Sequence, residues 1–421
     1  MASNTKKLCY ILPEYDEKTA THFAHIYYFL EEISKYFDLY VIAERGRIAT
    51  RKSLRGAERR SNLQGGLFNR LLRGVYPERS RRTRNDEMKI ASLPVVARND
   101  ERRAFRRSYV LSFSFFPLRI LETLVMLLKL RMAGYQDFYV HYSFLSAFLA
   151  SIIVRIFGGR VYYWNCGEPW KYKRNILREA FEKFTYKLIT YLITGTESLK
   201  KEYAKHYGLP PEKIKVMPNW IDIRGFRVQG LGDRVGELKK KLNIGEDKKI
   251  IFFIHRLSRR KGAHYLPEII KAFRDEKVVF VIIGDGPERE NLELRIKNYE
   301  LGKKVRLLGW LPNKELPFYY SIADIFLMPS EEEGFPRVLL EAMAMKVPFV
   351  ASDVGGVREI IPKIFQEYLC GTGDTECLVL KIKKLLFLRD EELHELKKAE
   401  YDRAVFFSME KAAECFKELF V

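Results

Sequence analysis

Four side chains in the second half of the chain have the types and spacing to hold a phosphorylated ligand. Arg256 and Lys261 lie within six residues of each other after the apolar run KKIIFFIH, and Gly262 opens the next helix. Two cations beside the free N–H groups of a helix start form a site for a phosphate or diphosphate. Arg259 and Arg260 stand between them, so a solvated basic loop is the plainer alternative. Further on, EEEGFPRVLLEAMAM carries Glu333 in a loop, Pro336 where it suits a first helical turn, and Glu341 about one and a half turns into the helix. Glu341 is the one charged residue of VLLEAMAM. A carboxylate in apolar company needs a hydrogen-bonding partner, which the vicinal hydroxyls of a sugar supply. Taken singly, Glu333 reads equally as part of a solvated acidic run and Glu341 as half of a structural ion pair. Taken together, cations for phosphates and carboxylates for hydroxyls at the mouth of one sheet describe a site for a sugar nucleotide. Gly284, in the turn GDGP, lets a ligand approach the backbone, though by itself this is an ordinary strand-to-helix turn.

Such a site needs strands that end at it and helices that begin at it. Open parallel sheets bind ligands outside their C-terminal strand ends. The second half repeats the required unit: KKIIFFIHR, KVVFVIIG, KVRLLG, ADIFLMPS and PFVAS, each an apolar strand, alternate with helical segments. Near-continuous β-branched runs between helices mean a parallel sheet covered on both faces. The first half shows a looser version, with strands KKLCYILP, DLYVIAE, DFYVHYS, RVYYWN, YLITGT and KIKVMPN. The expected fold class is therefore α/β, two Rossmann-like domains in tandem over residues 1–217 and 218–402. The segment from Ile221 to Lys249 is expected to be a connection.

HRLSRRKG, FVIIGDGPERE, VRLLGWLP, ADIFLMPS, EEEGFPRVLLEAMAMKVPFVASDVGGVREI, TGTESLKKEY and KIKVMPNWID cover most of residues 185–361. In these pieces the chain resembles the retaining glycosyltransferases of family 4, which have the GT-B fold. The resemblance implies two domains whose parallel sheets face a central cleft, and a last helix, residues 403–421, crossing back to the first domain. It implies a hexosyltransferase that moves a sugar from a nucleotide-diphosphate donor to a glycan or lipid-linked acceptor with retention, in cell-surface polysaccharide or glycolipid synthesis. Arg256 and Lys261 would hold the donor diphosphate, Glu341 the ribose hydroxyls and Glu333 those of the transferred sugar. Backbone N–H groups of Gly334 and Phe335, in the segment that runs to Pro336, would orient sugar and phosphate, and the backbone near Leu311 would read the base. Gly284 and Val338 complete the implied donor set. Catalysis would fall to Arg256, Lys261 and Glu333, with no covalent nucleophile. The sequence has no Asp-x-Asp, consistent with metal-independent chemistry and no cofactor beyond the donor itself. A non-catalytic scaffold or sensor that binds nucleotide sugars is the alternative.

The first half departs from that family in two places. The loop PEYDEKTATHFAH lacks the glycines expected after the first strand, and His22 and His25 read simply as helix-start residues. The histidine expected near the end of a middle strand is sought in YYWNCGEPW, where Asn165, Cys166 or Glu168 could substitute.

Composition bounds the rest. A chain of 421 residues with 47% hydrophobic residues can build two or three cored domains. Its formal net charge is +20, of which residues 45–110 carry +13 through 19 Lys and Arg against six Asp and Glu. A general basic coat is thereby excluded. This Arg-rich insertion precedes the apolar PLRILETLVMLLKL, a combination that fits docking to anionic lipid headgroups. A solvated loop is the equal alternative. Nucleic acid ranks lower, since no interleaved aromatic pattern accompanies the charge. The longest stretch without Asp, Glu, Lys or Arg, Phe138 to Val154, reads as a strand and a helix rather than a membrane span. Five cysteines without paired-motif spacing read as reduced and cytosolic. The N-terminal apolar run is too short for a signal peptide, so the expected location is cytoplasmic or peripheral on the inner face of the membrane.

Overall fold

The computed structural model describes residues 6–13, 15–16, 24–44, 46–47, 108–112, 116–173, 175–226 and 231–421. The Arg-rich insertion lies almost wholly outside the described residues, as does His22.

The first half contains β1 (Lys6–Leu12), α1 (Ala24–Ile33), β2 (Phe37–Ala43), β3 (Ser108–Val110), α2 (Phe116–Met132), β4 (Asp137–His141), α3 (Phe144–Phe157), β5 (Arg160–Trp164), α4 (Ile176–Leu188), β6 (Tyr191–Thr194), α5 (Glu197–Tyr207) and β7 (Ile214–Val216). Its seven strands lie in the order β3-β2-β1-β4-β5-β6-β7, and every ladder is parallel.

The second half contains α6 (Leu231–Lys241), β8 (Lys249–Ile254), α7 (Leu266–Lys271), β9 (Val278–Ile283), α8 (Arg289–Asn298), β10 (Val305–Gly309), α9 (Leu316–Tyr320), β11 (Ile325–Met328), α10 (Arg337–Ala344), β12 (Phe349–Ser352), α11 (Val357–Ile360), β13 (Leu369–Cys370), α12 (Thr375–Leu386), α13 (Asp390–Phe406) and α14 (Met409–Glu418). Its six strands run β10-β9-β8-β11-β12-β13, again all parallel. β9 is VVFVII with all six residues buried, as a strand covered by helices on both faces requires. Both sheets grow outward in one direction from their first strand and then reverse. The reversals fall between β1 and β4 and between β8 and β11, and each opens a crevice at the strand C-termini where a ligand fits.

The chain returns to the first half at its end. α13 stops at Phe406, Ile221 pairs with Ser408, and α14 then packs on α1. Phe416 sets its ring against Phe29 at 5.4 Å and Tyr139 at 4.8 Å. The returning helix thus begins at Met409, not at 403, which lies inside α13.

Two expectations change, and the strand-and-helix reading of the 138–154 stretch holds. The connection from Ile221 to Lys249 contains α6, whose Leu238 lies in the second core; Gly232 and Gly236 interrupt the apolar spacing that signals a helix. The 138–154 stretch is divided between β4 and α3, and among the described residues no helix is long and apolar enough to cross a membrane. The cysteines are not all reduced, because Cys370 and Cys377 form a disulfide. A turn through Gly371, where the Asp374 N–H donates to the Gly371 carbonyl, brings their Cα atoms to 5.8 Å, within bridging range.

Candidate functional site

The crevice between β8 and β11 is built by two loops in contact. Gly262 has φ +71°, and a Cβ there would sit 1.9 Å from the Pro329 carbonyl oxygen. Only glycine permits that conformation and that approach. The contact seats Lys261, from the β8 loop, against Glu333, from the β11 loop: Nζ to Oε1 is 2.7 Å, and both side chains are buried. Ser330 donates its hydroxyl to the same oxygen at 2.9 Å. His255, the first residue after β8, approaches it with Nε2 at 3.1 Å. Because the Arg256 N–H donates to His255 Nδ1 at 3.0 Å, the neutral imidazole carries its proton on Nε2 and donates to Glu333.

Burial opposes ionisation of Glu333, but Lys261 and then His255 outweigh it and hold the carboxyl at about 2. Burial also pushes the His255 imidazole below its ordinary value, against the pull of Glu333. The site therefore holds a permanent carboxylate, a cation and a neutral hydrogen-bond donor in contact.

The rest of the acidic run is equally partnered. Tyr265 donates to Glu331 at 2.8 Å, with His264 at 3.3 Å. Glu332 accepts from Tyr172 at 2.9 Å, and Arg260 donates to the same tyrosine oxygen at 2.9 Å. Neither the EEE run nor Arg260 is merely solvated. Arg256 differs: its side chain is exposed and makes no ion pair among the described residues.

Glu341 stands apart from this cluster with partners of its own. It is the fifth residue of α10, one turn after Arg337, and Tyr320 donates to its Oε2 at 3.2 Å. Burial raises its pKa, with Arg337 and Tyr320 pulling the other way. Val338, half-buried on the same helix, gives its carbonyl to Tyr320. Pro336 is the residue just before the helix, one earlier than expected. Leu311 follows β10 half-buried, and Gly284 packs where its Cβ would lie 1.9 Å from the His255 carbonyl, so protein backbone occupies that approach.

The two halves of the chain meet at the same loop. A Cβ on Gly334 would lie 1.8 Å from the Cys166 carbonyl oxygen. Asn219 donates to the Phe335 carbonyl at 3.3 Å, and Tyr172 reaches Glu332 as described. Glu359 accepts from the N–H groups of Glu197 and Ser198, at 2.8 and 2.7 Å, at the start of α5.

On the first-half side, the crevice between β1 and β4 ends in His141, which sequence reasoning did not single out. It is buried, 3.0 Å from the Tyr10 hydroxyl through Nδ1, and stacked on Trp164 at 4.2 Å. Burial lowers its pKa to about 3. A histidine therefore ends β4, one strand before the YYWNCGEPW segment in which one was sought. Asn165 is occupied holding Tyr186 and the Gly167 N–H, and Glu168 pairs with Lys171 at 2.9 Å. The signal available was position: in FYVHYS the histidine falls at the C-terminus of a middle strand.

Comparison with known proteins adds to this geometry. Two family models match, "Glycosyltransferase Family 4" over residues 76–224 and "Glycosyl transferases group 1" over residues 235–403. A putative teichuronic acid biosynthesis glycosyltransferase of Bacillus subtilis is 36% identical over 173 residues, 41% of each chain. The N-acetyl-alpha-D-glucosaminyl L-malate synthase of Bacillus anthracis is 33% identical over 191 residues, 44% of this chain and 47% of the relative. The matches thus span less than half the length of these curated relatives. Among solved structures, Anabaena HepE in complex with UDP superposes with a TM-score of 0.70 at 16% identity, covering 98% of this chain and 99% of that one. A glycosyltransferase from Rickettsia africae gives 0.71 at 15%, covering 99% and 98%. At such identities these structures show the fold, which is GT-B.

Proposed function

The chain belongs to the group 1, family 4 glycosyltransferases, and from that premise we propose that it moves a hexose from a nucleotide-diphosphate sugar to a glycan or lipid-linked acceptor, with retention of anomeric configuration. The observation that carries this reading is the buried Lys261–Glu333–His255 cluster at the crevice of the second sheet, with the exposed Arg256 beside it.

Breaking the anomeric bond develops positive charge on the sugar ring and negative charge on the departing phosphate. Among the described residues Arg256 has no carboxylate to release before it can meet the diphosphate. Lys261 shares its three donors between Glu333 and a phosphate oxygen. Preorganised cations at a developing charge stabilise the transition state, and one donor can be worth about 10²–10³ in turnover. Glu333, ionised down to about pH 2, is an obligate acceptor for sugar hydroxyls. His255 and Ser330 hold it in place. Glu341 accepts from the ribose. Chemistry needs no resident cofactor or metal in this scheme, and no covalent nucleophile. Relatives whose names place them in teichuronic acid and glucosaminyl-malate synthesis support an anionic or glycan-type acceptor. The proposed location is cytoplasmic, peripheral on the inner face of the membrane. The lipid contact read from residues 45–110 rests on their charge alone.

The test is a thermal-shift screen with uridine, guanosine and adenosine diphosphate sugars, followed by transfer with and without chelator and assignment of the product anomer by NMR. Stabilisation by one donor class and chelator-resistant transfer with retention are expected. An inverted product, or binding without turnover over a broad acceptor panel, contradicts the reading, and the latter favours a non-catalytic scaffold.

A further inference from the structure

The β11 loop ends in a cation that the fold does not neutralise. Arg337 is the first residue of α10 and follows directly on Gly334, Phe335 and Pro336. Its side chain is half-buried. Among the described residues its guanidinium makes no ion pair and no hydrogen bond, and its Nε is buried without a partner. Burial lowers its pKa, while Glu341, then Tyr320 and Tyr142, pull it back up. Glu341 stands one turn further along the helix but takes its hydrogen bond from Tyr320, not from Arg337. Tyr142 belongs to the first half. It follows β4 with φ +57°, a left-handed backbone uncommon outside glycine, and its ring meets Trp164 edge-on at 4.8 Å. Arg337 thus lies between the carboxylate of its own helix and a residue of the opposite half. Withdrawing a guanidinium from water without a counter-charge is costly, and a charge brought by a ligand accounts for one held in this way at a crevice.

The local charges identify that ligand group. Around the loop from Glu331 to Arg337, Lys261 is matched by Glu333 at 2.7 Å and Arg260 faces Glu332 at 3.5 Å. Exposed Arg256 is then the free cation of the β8 loop. A nucleotide-diphosphate sugar carries one negative charge on each of its two phosphates, so Arg256 alone leaves one of them unmatched. Arg337 supplies the second free cation. Its place in the chain agrees: it falls between Glu333, read as the sugar contact, and Glu341, read as the ribose contact, just as the diphosphate falls between sugar and ribose in such a donor.

We propose that Arg337 is a further donor-binding residue, whose guanidinium takes oxygens of the diphosphate. This rests on the transferase reading and adds to it a residue outside the Arg256 and Lys261 pair. The planar guanidinium fork engages two phosphate oxygens at once, which an ammonium cannot do.

The experiment compares the full chain with Arg337→Met and Arg337→Lys by titration calorimetry, using uridine, guanosine and adenosine diphosphates and the three parent nucleosides. Arg337→Met should lose about tenfold or more in affinity for the diphosphate that the wild type binds best, as expected for a lost charge-assisted hydrogen bond, with affinity for the parent nucleoside unchanged. Arg337→Lys should restore part of the loss, keeping the charge without the fork. In thermal unfolding without nucleotide, Arg337→Met should melt no lower than the wild type, because it removes an unmatched cation. A lower melting temperature with diphosphate affinity intact overturns the proposal, since Arg337 then serves the fold as a partner of Glu341. Equal losses for diphosphate and nucleoside overturn it too, placing the residue at the ribose or base. Wild-type protein that binds none of the three diphosphates overturns the transferase reading and this one together, whereas wild-type binding that Arg337→Met leaves unaltered overturns this one alone.

Discussion

Replacing Glu333 by glutamine should alter the pH dependence of stability in a calculable way. In the folded chain the carboxyl is held at about 2, against its ordinary 4.5, with Lys261 at 2.7 Å as the main cause of the lowering. That difference amounts to about 3 kcal/mol of preference for the charged, folded form. Since the folded value is the lower one, this stability is fully present above about pH 4.5 and is lost as pH falls toward 2. About 2 kcal/mol of it is gone by about pH 3. Urea unfolding of wild type and Glu333→Gln, followed by tryptophan fluorescence from neutral pH downward, measures the difference directly. At neutral pH the variant should be less stable by about 3–5 kcal/mol, because Lys261 is left buried without its counter-charge. The gap should narrow by about 2 kcal/mol on reaching about pH 3. Lys261→Met/Glu333→Gln should recover part of the loss, because it removes both charges. Curves for wild type and Glu333→Gln that run parallel over the whole range would refute the reasoning, since the carboxyl would then titrate alike in folded and unfolded chains.

Other consequences follow from residues on the page. Glu341→Ala should weaken nucleoside diphosphate binding about tenfold in titration calorimetry, the loss of one charge-assisted hydrogen bond; an unaltered dissociation constant removes Glu341 from the ribose site. Phe416→Ala, which empties the aromatic contact between α14 and the first core, should cost about 3–5 kcal/mol in urea unfolding. Thiol titration in denaturant without reductant should find three reactive cysteines, Cys9, Cys166 and Cys415, and five after reduction.

The crevice of the second sheet was largely legible in the sequence because strand ends and helix starts carry their own punctuation. The runs before His255 and Ser330 are apolar, so they fix two strand ends at the mouth of the second sheet, and Lys261, Glu333 and Glu341 have side chains that are costly to bury without a partner. What the pattern cannot give is which strands become neighbours. His255 gained its role only because β8 and β11 lie side by side, although 78 residues separate it from Glu333. His141 was overlooked for the same reason, being sought at the end of β5 when the crevice lies at the end of β4. The acidic run Glu331 to Glu333 looked uniform because three different partners, His264, Arg260 and Lys261, are assigned by the path of one loop. α6 was hidden by its two glycines, and the Cys370–Cys377 bridge by a seven-residue separation that matches no motif and depends on a turn.

The account stands or falls on whether Arg256 and Lys261 meet the negative charge of the donor. The direct measurement is transfer rate and nucleoside diphosphate affinity in Arg256→Ala and Lys261→Ala, with the donor identified by the screen. The account predicts turnover lower by about 10²–10³ in each, with weaker nucleotide binding and folding confirmed by circular dichroism. Turnover equal to that of the unmodified protein in both variants would contradict it.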